Sequence, residues 1–204
     1  MKLRGLEASS DLLRLQLIGT FRTFSISMVS PYVGLVLYTR GMPLLLVGGY
    51  YIALAVSGAL GQLLGGLMAD KRGRKSTMQI SQLINGISLV GMGLSLLLPG
   101  YVIISLLGIL QSVFGSATFS AYNTYIGDLG REQGELIRAY GLMRIGINLG
   151  WALGPLFGGV AIGLLGYSNA FILAGITVLC SSALFIGLRE SPHAFSGFDT
   201  SAIK

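Results

Sequence analysis

Residues 69–75 read ADKRGRK, four cations and one carboxylate within seven positions. Only 11% of the 204-residue chain is charged and 52% is hydrophobic. A soluble domain would be about a quarter charged. With 31 glycines and a mean hydropathy of +0.74, the surface around this turn is one that water solvates poorly. The composition points to a membrane protein.

Working outward from the turn, six mostly apolar segments are each long enough to cross a bilayer, which takes about 20 residues. They cover residues 13–38, 44–69, 77–98, 101–126, 139–165 and 169–188. Residues 1–12 read as a cytoplasmic N-terminus and 189–204 as a cytoplasmic tail or the start of a central loop. The gaps after the second and fourth segments, with the two ends, hold Lys2, Arg4, Lys71, Arg72, Arg74, Lys75, Arg131, Arg138, Arg189 and Lys204. The gaps after the first, third and fifth hold only Arg40. The cation-rich side is expected to be cytoplasmic. The fold class is therefore an all-α membrane protein of six helices with both ends inside. Residues 1–12 mix both signs and lack the apolar stretch of a secretory signal peptide. The net charge of +6 does not suggest nucleic acid, because the cations sit in gaps between apolar runs.

Several chemistries have little to be built from. Cys180 is the only cysteine and His193 the only histidine, which leaves no zinc site or Ser-His-Asp triad. No acid falls mid-segment and no nucleophile–base pair is evident, so neither an enzyme nor a cofactor is expected.

A scatter of lysines would fix orientation equally well, so the order within the turn is more specific than topology requires. In full it reads GLMADKRGRKSTM, residues 66–78. This resembles the signature loop of the major facilitator superfamily, with Asp70, Gly73, Arg74 and Lys75 in the family's positions. Residues 150–159, GWALGPLFGG, resemble the Gly-x-x-x-Gly-Pro-x-x-Gly-Gly pattern of that family's drug/proton antiporter branch. The resemblance implies the N-terminal six-helix half of a twelve-helix transporter. It also implies a partner: a second six-helix half, supplied by a missing C-terminal half or by a homodimer mate. One departure stands in the fourth segment. There the family often has Arg-x-x-Gln-Gly, with an arginine linked to proton coupling, and this chain has QSVFG with Gln111 in the arginine's place.

Gly73 permits a tight turn. Asp70 closes the second segment, and Arg74 is a candidate partner for Asp128 at the end of the fourth. The resemblance assigns this cluster to gating, whereas a solvated loop is the plainer reading. Gly146, Gly150, Gly154 and Gly158 recur every four residues on one helix face, with Pro155 and Gly159 beside them. That ridge fits close packing within the bundle. The resemblance places it against the opposite half, as an interface lacking its partner.

Arg22 lies about nine residues into the first segment, roughly 13 Å along a helix. It either snorkels to the interface or faces a cavity and an anionic group. Arg22, Ser25 and Tyr32 share one face, and Gln111, Thr118 and Tyr122 another. Asn148 lies one turn from Arg144 in the fifth segment. The resemblance makes these the substrate-binding candidates, while inter-helix hydrogen bonding explains them equally well.

The leading expectation is a secondary transporter working by alternating access in the cell (inner) membrane. Its partners are the lipid bilayer, a small organic substrate and protons, and its direction is efflux. The alternative is a shortened half-transporter serving as a non-transporting interaction subunit.

Overall fold

The computed structural model describes residues 2–190, with side chains from residue 12 onward except at residue 133. His193, Lys204 and the rest of the tail from residue 191 lie outside the described residues, as do the side chains of Lys2 and Arg4. The described residues form α1 (Lys2–Val29), α2 (Val33–Thr39), α3 (Leu44–Arg72), α4 (Arg74–Ser95), α5 (Val102–Gln133) and α6 (Leu136–Ser182).

Where the helices stop follows from the residues at their ends. Pro31 sits in a 3-10 turn, Ser30–Tyr32, that divides the first expected segment into α1 and α2. Proline has no N–H to continue the α-helical ladder. Gly73, at φ 91°, is at once the C-cap of α3 and the N-cap of α4. The segment expected to end at residue 126 continues to Gln133 and closes on Gly134 in the left-handed conformation. Asp128 therefore lies inside a helix. The gap expected at residues 166–168 is a break at Gly166, φ 79° and ψ 166°, within α6.

Contacts between helices fix their relative directions. Along α1, Thr20, Phe24 and Met28 meet Gly146, Gly154 and Gly158 in the same order, so α1 and the first arm of α6 run parallel. Tyr122 on α5 bonds the Leu15 carbonyl and Arg22 bonds the Gly115 carbonyl, so α1 and α5 run antiparallel. Gly61 and Gly65 of α3 lie against Val113 and Ala117 of α5 in parallel. Arg74 reaches Asp128 while Asn85 lies beside Gly115, making α4 antiparallel to α5. Gly86 and Gly93 of α4 meet Gly175 and Ile172 in reverse order. The second arm of α6 therefore opposes the first, and the chain turns back at Gly166.

This alternation collects the charges at one end. Arg14 bonds the Gly187 carbonyl, Lys75 the Leu188 carbonyl and Arg74 the Asp128 carboxylate. At the other end Arg40 donates to the Leu98 carbonyl at 2.7 Å and also to Leu96, holding the turn that follows α4.

Two apolar clusters form the interior. One contains Leu37, Leu89, Ile104 and Phe171. The other, toward the charged end, contains Leu15, Met78, Tyr125 and Phe185. Between them runs a layer of buried polar side chains that includes Ser25, Gln82, Asn85, Thr118 and Ser181. Outside, large apolar residues face away from the protein, among them Leu45, Ile137 and Leu164 at 86%, 91% and 79% exposure. So apolar an exterior suits hydrocarbon. Among the described residues, Leu44–Arg72, Val102–Glu132 and Leu136–Phe185 are each long and apolar enough to span a membrane. The last holds 50 residues, more than twice the ~20 that one crossing needs. This is a multi-pass membrane protein.

Candidate functional site

The turn at residues 69–75 is held as an ionic clasp. Arg74 begins α4, and its Nη1 lies 2.5 Å from Asp70 Oδ1 in the last turn of α3. Its Nε lies 3.4 Å from Asp128 Oδ2 on α5. One guanidinium thus ties three helices at their charged ends. Asp70 is 41% exposed, while Arg74 and Asp128 are buried at 9% and 7%.

A second set of bonds straps the chain after α6 onto this clasp. The Lys75 backbone N–H donates to Glu190 Oε1 at 3.0 Å, and its Nζ donates to the Leu188 carbonyl at 2.7 Å. The Tyr125 hydroxyl donates to the Arg189 carbonyl. A Cβ added at Gly73 would stand 2.7 Å from the Glu190 carboxyl carbon. Glycine at 73 is required twice over, by its positive φ and by this approach. Sequence reading missed Glu190. Its only signal is an acid two residues after the last apolar run, behind Arg189.

The glycine ridge of α6 has its own partner in the chain. Gly146 and Gly150 face Thr20 and Thr23, Gly154 faces Ser27, and Gly158 faces the Met28 backbone. Ser27 Oγ donates to the Gly150 carbonyl at 2.8 Å. Tyr32 donates to the Pro155 carbonyl at 2.9 Å and lies beside Gly159. The face anticipated as an interface without a partner is covered by α1. Close approach along four-residue spacing needs another helix backbone, and the chain supplies one itself.

The substrate-binding candidates divide into groups. Arg22 Nη2 donates to the Gly115 carbonyl at 2.5 Å. It lies near Gln111 and Asn85, whose side-chain nitrogens also approach Gly115. Ser25 and Thr118 are fully buried and bond carbonyls four residues back in their own helices. Tyr122 is spent on the Leu15 carbonyl at 2.8 Å. Tyr32 faces α6 rather than joining Arg22, because the 3-10 turn at Pro31 interrupts the helical register of α1. Asn148 is exposed on the outside of α6, apart from the others. The unforeseen residue is Asn85, fully buried on α4 with its Nδ2 near Gly115, which the Arg22 guanidinium also approaches. Its only signal is an amide one turn from Gln82 and Ser81, in a segment rich in small polar residues.

The clasp is built from the residues that carry the signature-loop resemblance. The sequence model described as Major Facilitator Superfamily matches residues 15–202. The chain belongs to the major facilitator superfamily. Among superfamily relatives, the multi-drug resistance efflux pump PmrA of Streptococcus pneumoniae is 29% identical over 182 residues, 86% of this chain and 44% of that protein. The enterobactin exporter EntS of Shigella flexneri is 28% identical over 136 residues, 65% of this chain and 33% of that protein. The chain thus spans less than half the length of the relatives it matches.

Proposed function

We propose that the chain is the six-span half of a secondary transporter that exports small organic molecules by alternating access, with protons as the coupling ion. The alternating helix directions and the gathering of cations at one end support six crossings with both ends cytoplasmic. A second six-helix half, further along the protein or in another copy, completes the central cavity. The efflux names of the relatives and the glycine–proline pattern at Gly150–Gly159 support outward transport.

The observation that carries this reading is Arg74 held between Asp70 and Asp128. Asp70 is half exposed while Asp128 is buried, so a small shift of α3 against α4 exchanges the Asp70 contact for water at little cost and leaves the buried contact in place. That suits a latch which closes in one state of the transporter and opens in another.

The test is dye loss from energised cells expressing the protein. The dyes are one cationic and one carrying a carboxylate. Faster loss than from control cells, abolished by a protonophore, is the expected result. Loss equal to the control for both dyes overturns export, and loss indifferent to the protonophore overturns proton coupling.

A further inference from the structure

A cavity of about 90 Å³ lies inside the bundle, in the half away from the charged end. Its walls come from α1 to α5 and include apolar side chains such as Leu54 and Met92. Four polar side chains also line it: Ser30, Tyr50, Tyr51 and Gln111. Among the described residues none of the four makes a side-chain hydrogen bond. Bonding groups beside them are satisfied, since Ser112, next to Gln111, donates to the Leu54 carbonyl at 2.9 Å.

The two tyrosines are set in place by glycines. The Tyr50 hydroxyl lies against Gly108, where any Cβ would collide with it. The Tyr51 hydroxyl lies 2.8 Å from the point that a Cβ on Gly34 would occupy. The rings meet edge to face with centres 5.8 Å apart. Tyr50 is 5% exposed and lies deep, whereas Tyr51 at 44% stands at the rim. A buried hydroxyl left unpaired is costly, so this wall favours a polar occupant.

Charge and size narrow that occupant. No residue lining the cavity is charged. An ion there would lack a counter-charge and is excluded. An apolar group would leave all four polar side chains unpaired. A water takes about 30 Å³, so the space holds about three waters or one group of similar bulk. A cavity that binds benzene measures about 150 Å³, which makes an aromatic ring too large. A primary amide carries two N–H donors and a carbonyl with two lone pairs, one hydrogen bond for each of the four side chains. A hydroxyl group falls one short.

We propose that Ser30, Tyr50, Tyr51 and Gln111 form a binding site for an uncharged primary carboxamide group. The hydroxyls and the Gln111 amide divide its hydrogen bonds, and the apolar walls exclude its charged counterparts. The site does not rest on the export reading, because every wall belongs to this chain.

The experiment is protection of a cysteine placed in the wall, in purified protein in lipid nanodiscs. Val33 lines the cavity, and Val33→Cys leaves all four polar side chains intact. It is combined with Cys180→Ser because Cys180 is exposed. The introduced thiol is labelled with uncharged methyl methanethiosulfonate, and the rate is read by mass spectrometry. Acetamide is the probe, and sodium acetate is its charged counterpart of the same shape. Acetamide should slow labelling to a saturating limit, and acetate should leave the rate unchanged. Adding Tyr50→Phe or Gln111→Leu should weaken the apparent affinity for acetamide about threefold to tenfold, the worth of one neutral hydrogen bond. Labelling that acetamide does not slow would mean a cavity holding water alone and overturns the proposal. Equal protection by acetate, a linear fall without saturation, or unchanged affinity in both added variants also overturns it. If Val33→Cys fails to fold, Val29→Cys on the same wall takes its place. No transport is measured, so failure here is distinct from failure of the dye assay.

Discussion

Arg74 and Asp128 meet at 3.4 Å across 54 residues of sequence, and both side chains are less than one-tenth exposed. The bond from the same guanidinium to Asp70 is shorter, but Asp70 is 41% exposed. Water screens the shorter contact and hardly reaches the longer one. The distance order and the energetic order are therefore opposite.

Asp70→Asn should leave stability within about 1 kcal/mol of the parent, as an exposed ion pair contributes little. It should nevertheless reduce transport severely, since the latch loses the charge that engages Arg74. Arg74→Ala should lose about 3–5 kcal/mol, because it removes one member of a buried pair. Denaturation of the purified variants measures the first quantity and dye loss the second. Parental transport in a well-folded Asp70→Asn protein would reduce the clasp to a topology signal.

Gly73 and Glu190 make a second coupled pair. Gly73→Ala forces a Cβ into the φ 91°, ψ 156° conformation, which glycine alone adopts readily, at about 1–3 kcal/mol, and pushes it against the Glu190 carboxylate. Glu190→Ala alone removes the acceptor for the Lys75 N–H. The double variant should be more stable than the sum of the two single losses predicts, by about 0.5–3 kcal/mol. Strict additivity would mean that the strap after α6 does not press on the turn.

The large features were legible because periodicity and charge carry them. Gly146 to Gly158 recur every four residues, and Asp70 to Lys75 keep a recognisable order in sequence alone. What covers a face is not written in that face, so the ridge looked unpartnered until α1 was seen against it. Helix ends were misjudged where a local device overrode hydropathy: Pro31 stopped α1 early, and Gly134 rather than the first charged residue stopped α5. Asn85 and Glu190 carry only weak local signals, for a different reason. Each matters through a residue far along the chain, Arg22 or Gly73, and no local pattern encodes such a meeting.

The ridge gives a prediction in which two similar substitutions have opposite signs. A Cβ on Gly158 would overlap the backbone of Met28, its carbonyl carbon at 2.7 Å. Backbone cannot swing aside as a flexible side chain can, so Gly158→Ala must push α1 away from α6. Overpacking of this kind costs about 1–3 kcal/mol. Gly163 lies on the same arm of α6 with nothing within 4 Å of an added Cβ. Gly163→Ala should therefore gain up to ~1 kcal/mol from the better helix former. Unfolding of both proteins in mixed detergent micelles compares them directly. A loss at 158 with a gain at 163 is expected. Equal behaviour at the two sites would show that the α1–α6 contact is looser than its geometry and carries little of the stability of the bundle.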